Sequence, residues 1–168
     1  MLNRLCYCGN GEKVKVTNFQ AGPGARSNLK SYGIKVGSEI TVIKNELEKG
    51  PVFISLGEEI IELGLEISKK IIVEAEKSTE FRLDQALIGD TVEISKMTAR
   101  GEIRRRLMDM GIVKGTCMKI LRVAPLGDPV ELKVSNFNLS LRLNEAETIM
   151  VKLIDIDNES VVPLNNAV

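Results

Sequence analysis

The sequence contains no histidine, and aromatic side chains make up only 4% of its 168 residues. Histidine is the side chain used most often for proton transfer near neutral pH, and it is a common metal ligand. No serine or cysteine stands beside a plausible base, and no glycine-rich loop precedes a lysine and a hydroxyl residue. The sequence therefore predicts a protein that is neither an enzyme nor itself a GTPase.

The chain also lacks net charge, since 23 lysine and arginine residues balance 23 aspartate and glutamate residues. Proteins that bind nucleic acid usually carry a basic surplus, with aromatic side chains between the charges when the strand is single. The second half of the chain offers only Phe81 and Phe137 as aromatic residues. A nucleic-acid partner is therefore not expected.

No apolar run reaches the ~20 residues that span a membrane, and residues 1–11 lack the apolar centre of a secretion signal. Three cysteines, an odd number, do not indicate a disulfide framework. These absences predict a soluble cytoplasmic protein that does not insert into the membrane directly.

The most informative stretch is residues 104–151, which is predicted to form a short helix followed by short strands. Ile103, Leu107 and Met110 stand at i, i+4 and i+7, a spacing that places an apolar stripe on a helix. Gly111 follows as a helix stop. Strands are predicted at residues 117–123, 130–134, 139–143 and 149–151, with a turn-rich loop at 124–129. The pattern is typical of a small β-rich domain with one helix.

The first half of the chain repeats this pattern at a constant offset. Gly33 precedes Gly111 by 78 positions (111 − 33), and Gly37 precedes Gly115 by the same interval. The same offset relates Gly11 to Gly89, Val14 to Val92, Arg26 to Arg104, Leu29 to Leu107, Pro51 to Pro129, Leu63 to Leu141 and Val73 to Val151. A period this long indicates a duplicated domain rather than a solenoid.

Three motifs in the second copy point to a known family. They are Arg105-Arg106-Leu107 with Met110-Gly111-Ile112 and Lys114-Gly115, then residues 124–130, and then Leu141-Arg142-Leu143 with Glu145-Ala146-Glu147, Ile149 and Val151. Together they resemble the FeoA family of small proteins associated with bacterial ferrous iron uptake. The resemblance implies a mainly β fold of two tandem SH3-like small β-barrels, each with one short helix between its first and second strands.

The same resemblance implies a non-enzymatic accessory protein of ferrous iron uptake. Such a protein would dock on FeoB, the GTPase-bearing iron permease, and would reach the inner face of the membrane through that partner. The main alternative is a metal-responsive regulatory module, because iron-dependent repressors carry a similar SH3-like domain. Those repressors place a winged helix-turn-helix before the barrel, and the residues before Gly11 are too few to hold one. A general adaptor role and self-association are left open.

The repeat predicts four segments along the chain. They are a first, diverged domain at residues 1–76, a linker at 77–82, a second domain at 83–154 and a C-terminal tail at 155–168. In the first domain we expect a helix over residues 25–32, with Gly22-Pro23-Gly24 in the loop before it. Strands are expected at residues 11–16, 39–44, 52–56, 60–65 and 70–74.

Cys6 and Cys8 form the first candidate site. Thiolates bind Zn²⁺ or Fe²⁺, but this spacing is tighter than in zinc knuckles, and Cys117 or carboxylates would have to complete the ligand set. The alternative is that both cysteines are small buried residues, as we expect Cys117 to be. The fold is expected to require no cofactor, and a transition metal at Cys6 and Cys8 is left as a hypothesis.

The second candidate site is the basic cluster formed by Arg104, Arg105 and Arg106, with Arg100 nearby. Guanidinium groups offer forked donors that suit phosphate or an acidic protein surface. The alternative is that these arginines are the solvated face of the helix, opposite its apolar stripe.

The third candidate site is the loop tip formed by Pro125, Leu126 and Gly127. A leucine held by a proline-rich loop suits docking into a partner's groove at a low cost in entropy. The alternative is that Leu126 folds back and plugs its own barrel. The first domain replaces this tip with Leu47-Glu48-Lys49, so we expect that only the second domain keeps the family pattern.

Overall fold

The structure is a computed structural model and describes residues 1–46, 50–77 and 79–156. The chain divides into two units, the first running from Met1 to Thr79 and the second beginning at Glu80. The Leu47-Glu48-Lys49 tip of the first domain and residues 157–168 of the predicted tail lie outside the described residues. No helix within the described ranges is long and apolar enough to cross a bilayer.

The first unit is a six-stranded antiparallel sheet with the strand order β1-β6-β2-β3-β4-β5. Its strands are β1 (Leu2–Arg4), β2 (Lys13–Phe19), β3 (Glu39–Lys44), β4 (Val52–Leu56), β5 (Glu59–Leu63) and β6 (Ile71–Ala75). Helix α1 (Pro23–Ser31) follows β2, and the four-residue helix α2 (Leu65–Ser68) follows β5.

The second unit repeats this arrangement, with the strand order β11-β10-β9-β8-β12-β7. Its strands are β7 (Glu80–Arg82), β8 (Asp90–Met97), β9 (Cys117–Val123), β10 (Val130–Val134), β11 (Phe137–Leu141) and β12 (Ile149–Ile156). Helix α3 (Gly101–Asp109) follows β8, and helix α4 (Leu143–Ala146) follows β11. The prediction of two tandem, mainly β domains with one early helix in each is confirmed.

Alternation of apolar and polar residues builds the strands of both units. In β10, Val130, Leu132 and Val134 are buried while Lys133 is exposed, as expected for a strand with one face toward a core. The buried faces of β8, β9 and β12 join this core, and Leu107 is the buried residue that α3 contributes to it. The alternation of buried and exposed residues therefore places the core of this unit on one face of its sheet.

The same glycine-stopped turn ends the main helix of each unit. Gly33 and Gly111 have φ angles of 76° and 82°, a left-handed conformation that costs glycine little. After them, the amide of Ile34 donates to Leu29 O at 3.0 Å, and the amide of Ile112 donates to Leu107 O at 2.9 Å. Both isoleucines are fully buried, so the stop also anchors the helix to the core.

The second unit begins earlier than the sequence indicates. Glu80–Arg82, assigned above to the linker, form strand β7 because Phe81 is buried and its backbone pairs with Val151 of β12. Strand β1 is its equivalent in the first unit, so each main helix follows the second strand rather than the first. Residues 155–156, assigned to the tail, are the end of β12.

Several local expectations are also corrected. Pro23 and Gly24 are the first residues of α1 rather than loop, because proline is well suited to the first helical position, where its missing N–H is not needed. The stripe on α3 is not uniformly buried, since Ile103 is 39% exposed and only Leu107 reaches the core. Cys117 is exposed, because Met118 and Ile120 take the inward positions of β9.

Candidate functional site

Helix α3 presents most of its surface to solvent. Arg104 and Arg105 are exposed, and Arg104 Nη1 donates to the carbonyl oxygen of Met97 at 3.4 Å, at the end of β8. The side chain of Arg105 has no hydrogen bond or ion pair with any residue in the described ranges, and it is exposed to water. Arg104 and Arg105 are therefore two exposed members of the basic cluster, and neither forms an ion pair with a residue in the described ranges.

Arg106 is engaged within the fold. It forms an ion pair with Glu145, whose side chain is only 4% exposed. The other carboxylate oxygen of Glu145, Oε2, accepts the backbone N–H of Arg142 at 2.9 Å and so caps the start of α4. Glu145 therefore joins two helices, with Arg106 as the charge that compensates its burial.

The 124–129 loop holds its tip outward. The amide of Gly127 donates to Ala124 O at 2.7 Å, and the amide of Ala124 donates to Pro129 O at 3.0 Å. Leu126 is 97% exposed, so it does not plug the interior of its own unit. The structure thus leaves a bare apolar side chain at the end of a hydrogen-bonded loop.

Two contacts hold the base of this loop. Arg122 and Glu131, opposite each other on β9 and β10, form a two-point ion pair with distances of 2.8 Å for both nitrogens. Asp128 Oδ1 accepts the backbone N–H of Leu143, the first residue of α4, at 3.1 Å. We call the Asp128–Leu143 and Arg106–Glu145 contacts together the α4 tie. It connects the loop and α3 through one short helix.

The first unit keeps one basic position and lacks the residues of the α4 tie. Arg26 corresponds to Arg104, and its Nη2 donates to the carbonyl oxygen of Phe19 at 3.1 Å. At the positions equivalent to Arg106, Glu145 and Asp128 the first unit carries Asn28, Ile67 and Gly50. The candidate face is therefore a property of the second unit.

Cys6 and Cys8 lie in a buried, hydrogen-bonded turn. The side-chain amide of Asn45 donates to Cys6 O at 3.0 Å and to Cys8 O at 2.8 Å, and the Cys8 thiol donates to Arg4 O at 3.4 Å. Burial, and then the charges of Glu12 and Cys6, raise the pKa of Cys8 far above its usual value. These surroundings favour a neutral thiol at Cys8.

In the described residues, Cys6 and Cys8 are not joined by enough further ligands to form a metal site. Within the described ranges, no group of three or more cysteine, aspartate or glutamate side chains is arranged to hold a metal ion. Cys117 is exposed in β9, whereas Cys6 and Cys8 are buried in the first unit. The metal site at Cys6 and Cys8 stays a prediction.

Sequence reasoning missed Glu145 and Asp128. The capping pattern at Glu145 was hidden because Arg142, rather than serine or threonine, stands at the N-cap. Asp128 lies in the predicted turn-rich loop at residues 124–129, where its sequence position indicates only a turn. Its role depends on Leu143, which lies 15 positions further along the chain.

The regions of the chain that match known proteins correspond closely to its two units. The FeoA domain family matches residues 3–75 and 81–153. A candidate Fe(2+) transport protein A of Methanocaldococcus jannaschii is 41% identical over 70 residues, which are 42% of this chain and 83% of that protein. An Fe(2+) transport protein A/Fe(2+) transporter FeoB fusion protein of Porphyromonas gingivalis is 36% identical over 85 residues, 51% of this chain and 10% of the fusion.

A solved structure covers both units. Iron(II) transport protein A from Clostridium thermocellum superposes with a TM-score of 0.54, spanning 94% of this chain and 90% of its own, at 20% identity. That likeness shows that the chain shares the fold of this solved protein. With the family matched along most of its length, the chain belongs to the FeoA family and contains two FeoA domains in tandem.

Proposed function

We propose that this chain is a non-catalytic accessory protein of ferrous iron uptake that docks on the cytoplasmic part of a FeoB-type permease. The observation that carries the proposal is the Porphyromonas gingivalis relative, in which the two proteins form one polypeptide. Covalent fusion raises the effective concentration of two modules, an arrangement that is useful when they act at the same place. As a separate chain, an FeoA protein needs a binding surface to achieve the same association.

The second unit supplies that surface in our proposal. Arg104 and Arg105 offer exposed charge on α3, and Leu126 offers an exposed apolar side chain between Pro125 and Gly127. An isolated leucine that is 97% exposed contributes nothing to its own core, and it gains free energy when a partner buries it. The mixture of one apolar anchor and a charged rim is typical of protein interfaces.

Binding to the soluble GTPase domain of the permease tests the proposal. We expect the variant carrying Leu126→Asp and Arg105→Glu together to lose at least about tenfold in affinity, since it removes the anchor and reverses the charge. The matched control carries Ile60→Asp and Arg26→Glu, which make the same changes at exposed positions of the first unit. The control is expected to bind like the natural chain.

The outcomes separate the parts of the proposal. Unchanged binding of the Leu126→Asp and Arg105→Glu variant rejects this surface. Equal loss in the control shows that the substitutions act non-specifically. Absence of binding by the natural chain, in a titration that reaches high micromolar concentrations, rejects docking on the GTPase domain itself.

A further inference from the structure

We propose that Arg106, Glu145 and Asp128 are positioning residues for the docking face. In this view the α4 tie holds α3 and the 124–129 loop at one spacing, so that Arg105 and Leu126 meet the partner together. The proposal rests on the proposed function and deepens it. The partner surface that fits is an acidic side chain next to an apolar socket.

The first step is the state of Glu145. Its side chain is 4% exposed, one carboxylate oxygen accepts the Arg142 amide, and the other is paired with Arg106. A buried carboxylate needs a compensating charge, so the Arg106 guanidinium is committed to this pair although much of its side chain is exposed. Arg106 therefore differs from Arg105, its neighbour in sequence.

The second step is the short distance between the two contacts of the α4 tie. Leu143 binds Asp128 of the loop, and Glu145 binds Arg106 of α3. Leu143 and Glu145 are two positions apart in α4, so their backbones lie about 3 Å apart along the helix axis, since each residue adds about 1.5 Å. The loop and α3 are thus fastened to adjacent points of a single helical turn and cannot shift independently while both contacts hold.

The third step is the consequence for binding. The Arg105 side chain has no hydrogen bond or ion pair within the described ranges, and Leu126 is almost fully exposed, so these two side chains are available to a partner. Holding their supports at a fixed spacing removes part of the entropy that binding would otherwise cost. Loss of the α4 tie should weaken binding without removing any contact with the partner.

A double-mutant cycle on binding to the permease GTPase domain distinguishes positioning from contact. Glu145→Gln keeps an oxygen for the Arg142 amide and abolishes the charge pair. We expect Arg106→Ala to lower affinity about fivefold in the natural chain and to have no further effect beside Glu145→Gln. Arg105→Ala serves as the matched control, and its loss should be the same in both backgrounds.

A second measurement needs no partner. Backbone amide exchange and ¹⁵N relaxation report on the Leu143 amide, which donates to Asp128, and on the Gly127 amide in the loop. We expect Arg106→Ala and Asp128→Ala to speed exchange at Leu143 and to increase loop motion. Arg105→Ala should change neither quantity.

These two measurements fail in different ways. Additive losses for Arg106→Ala and Glu145→Gln, or unaltered amide exchange in Arg106→Ala, overturn the positioning role. If the natural chain does not bind the GTPase domain, the proposed function fails, and the amide measurements still decide whether the α4 tie holds the loop.

Discussion

Arg26 and Arg104, which lie 78 positions apart, make the same hydrogen bond in the two units. Each guanidinium donates to the carbonyl oxygen of the residue seven positions earlier, at 3.1 Å to Phe19 and at 3.4 Å to Met97. The arginine thereby joins the first turn of the helix to the end of the preceding strand. The duplication is thus preserved in a side-chain contact as well as in the order of strands.

The helix stop gives the first prediction. Gly111→Ala should destabilise the second unit by about 1–2 kcal/mol, because an alanine at φ 82° meets its own backbone. A Cβ at this position has no other atom within 4 Å, so backbone strain is the only cost. Urea unfolding followed by NMR signals from each unit measures the change.

Gly24→Ala is the control for this substitution. A Cβ at Gly24 also has no neighbour within 4 Å, but the residue lies in helix α1 with an ordinary helical backbone. It should stabilise the first unit by about 0.5–1 kcal/mol, since alanine loses less backbone entropy than glycine. If Gly24→Ala and Gly111→Ala destabilise their units by the same amount, backbone strain at Gly111 is not the cause.

The second prediction contrasts two leucines of the same unit. Leu107→Ala should cost about 2–5 kcal/mol of stability, because Leu107 is fully buried and its removal leaves a cavity. Leu126→Ala should change stability by less than about 0.5 kcal/mol, because its side chain is 97% exposed. The same unfolding measurement tests both, and a destabilising Leu126→Ala would show that the loop tip packs against its own unit.

The third prediction concerns thiol reactivity. In the native protein at pH 8, iodoacetamide should modify the exposed Cys117 and leave the buried Cys8 untouched, since burial raises the pKa of Cys8 and withholds the reactive thiolate. Mass spectrometry after tryptic digestion identifies the labelled residue. In urea, Cys8 should become reactive.

The raised pKa of Cys8 also has a consequence for pH. A group whose pKa is higher in the folded state stabilises that state fully below its unfolded pKa, about 8.5 for a thiol, and loses this contribution as the pH rises further.

Calorimetric titration with Zn²⁺ or Fe²⁺ tests the prediction of a metal site at Cys6 and Cys8. Micromolar binding that disappears in Cys6→Ser would favour the regulatory alternative over an accessory role.

The fourth prediction concerns the ion pair at the base of the loop. The hydrogen bond from Arg122 and, less strongly, its charge lower the pKa of Glu131. Arg122→Met should therefore move the pKa of Glu131 upward toward its ordinary value, as measured by NMR titration of its side-chain carboxyl carbon. With Arg122 in place, the contribution of the Arg122–Glu131 ion pair to folding stability is present above the ordinary carboxyl pKa. It is lost as the pH falls through the lowered pKa of Glu131.

Sequence reasoning succeeded where the determining contacts are local. The stop at Gly111 depends on residues within one turn, and the strand alternation in β10 depends on neighbours two positions apart. Short strands gave too few residues for a periodic signal, so β1 and β7 were missed. The expectation that Cys117 lies in the core is wrong, because Met118 and Ile120 occupy the inward positions of β9.

The candidate site was predicted less completely, because its organisation depends on contacts between distant segments. Arg106 and Leu126 could be selected from composition and turn chemistry alone. The separate role of Arg106 follows from Glu145, which lies 39 positions away (145 − 106) and has no periodic relation to it. A basic run looks uniform in a sequence, and only the fold distinguishes an arginine that is paired from one that is free.

The residues of the α4 tie are present in the second unit and absent from the equivalent positions of the first, which affects how many attachment points the chain offers. A tandem repeat is often expected to present two equivalent attachment points and so to bridge two partners. Here the first copy has an asparagine, an isoleucine and a glycine at the three positions concerned. If the second unit alone docks, as proposed, we expect one chain to offer the permease one attachment point rather than two.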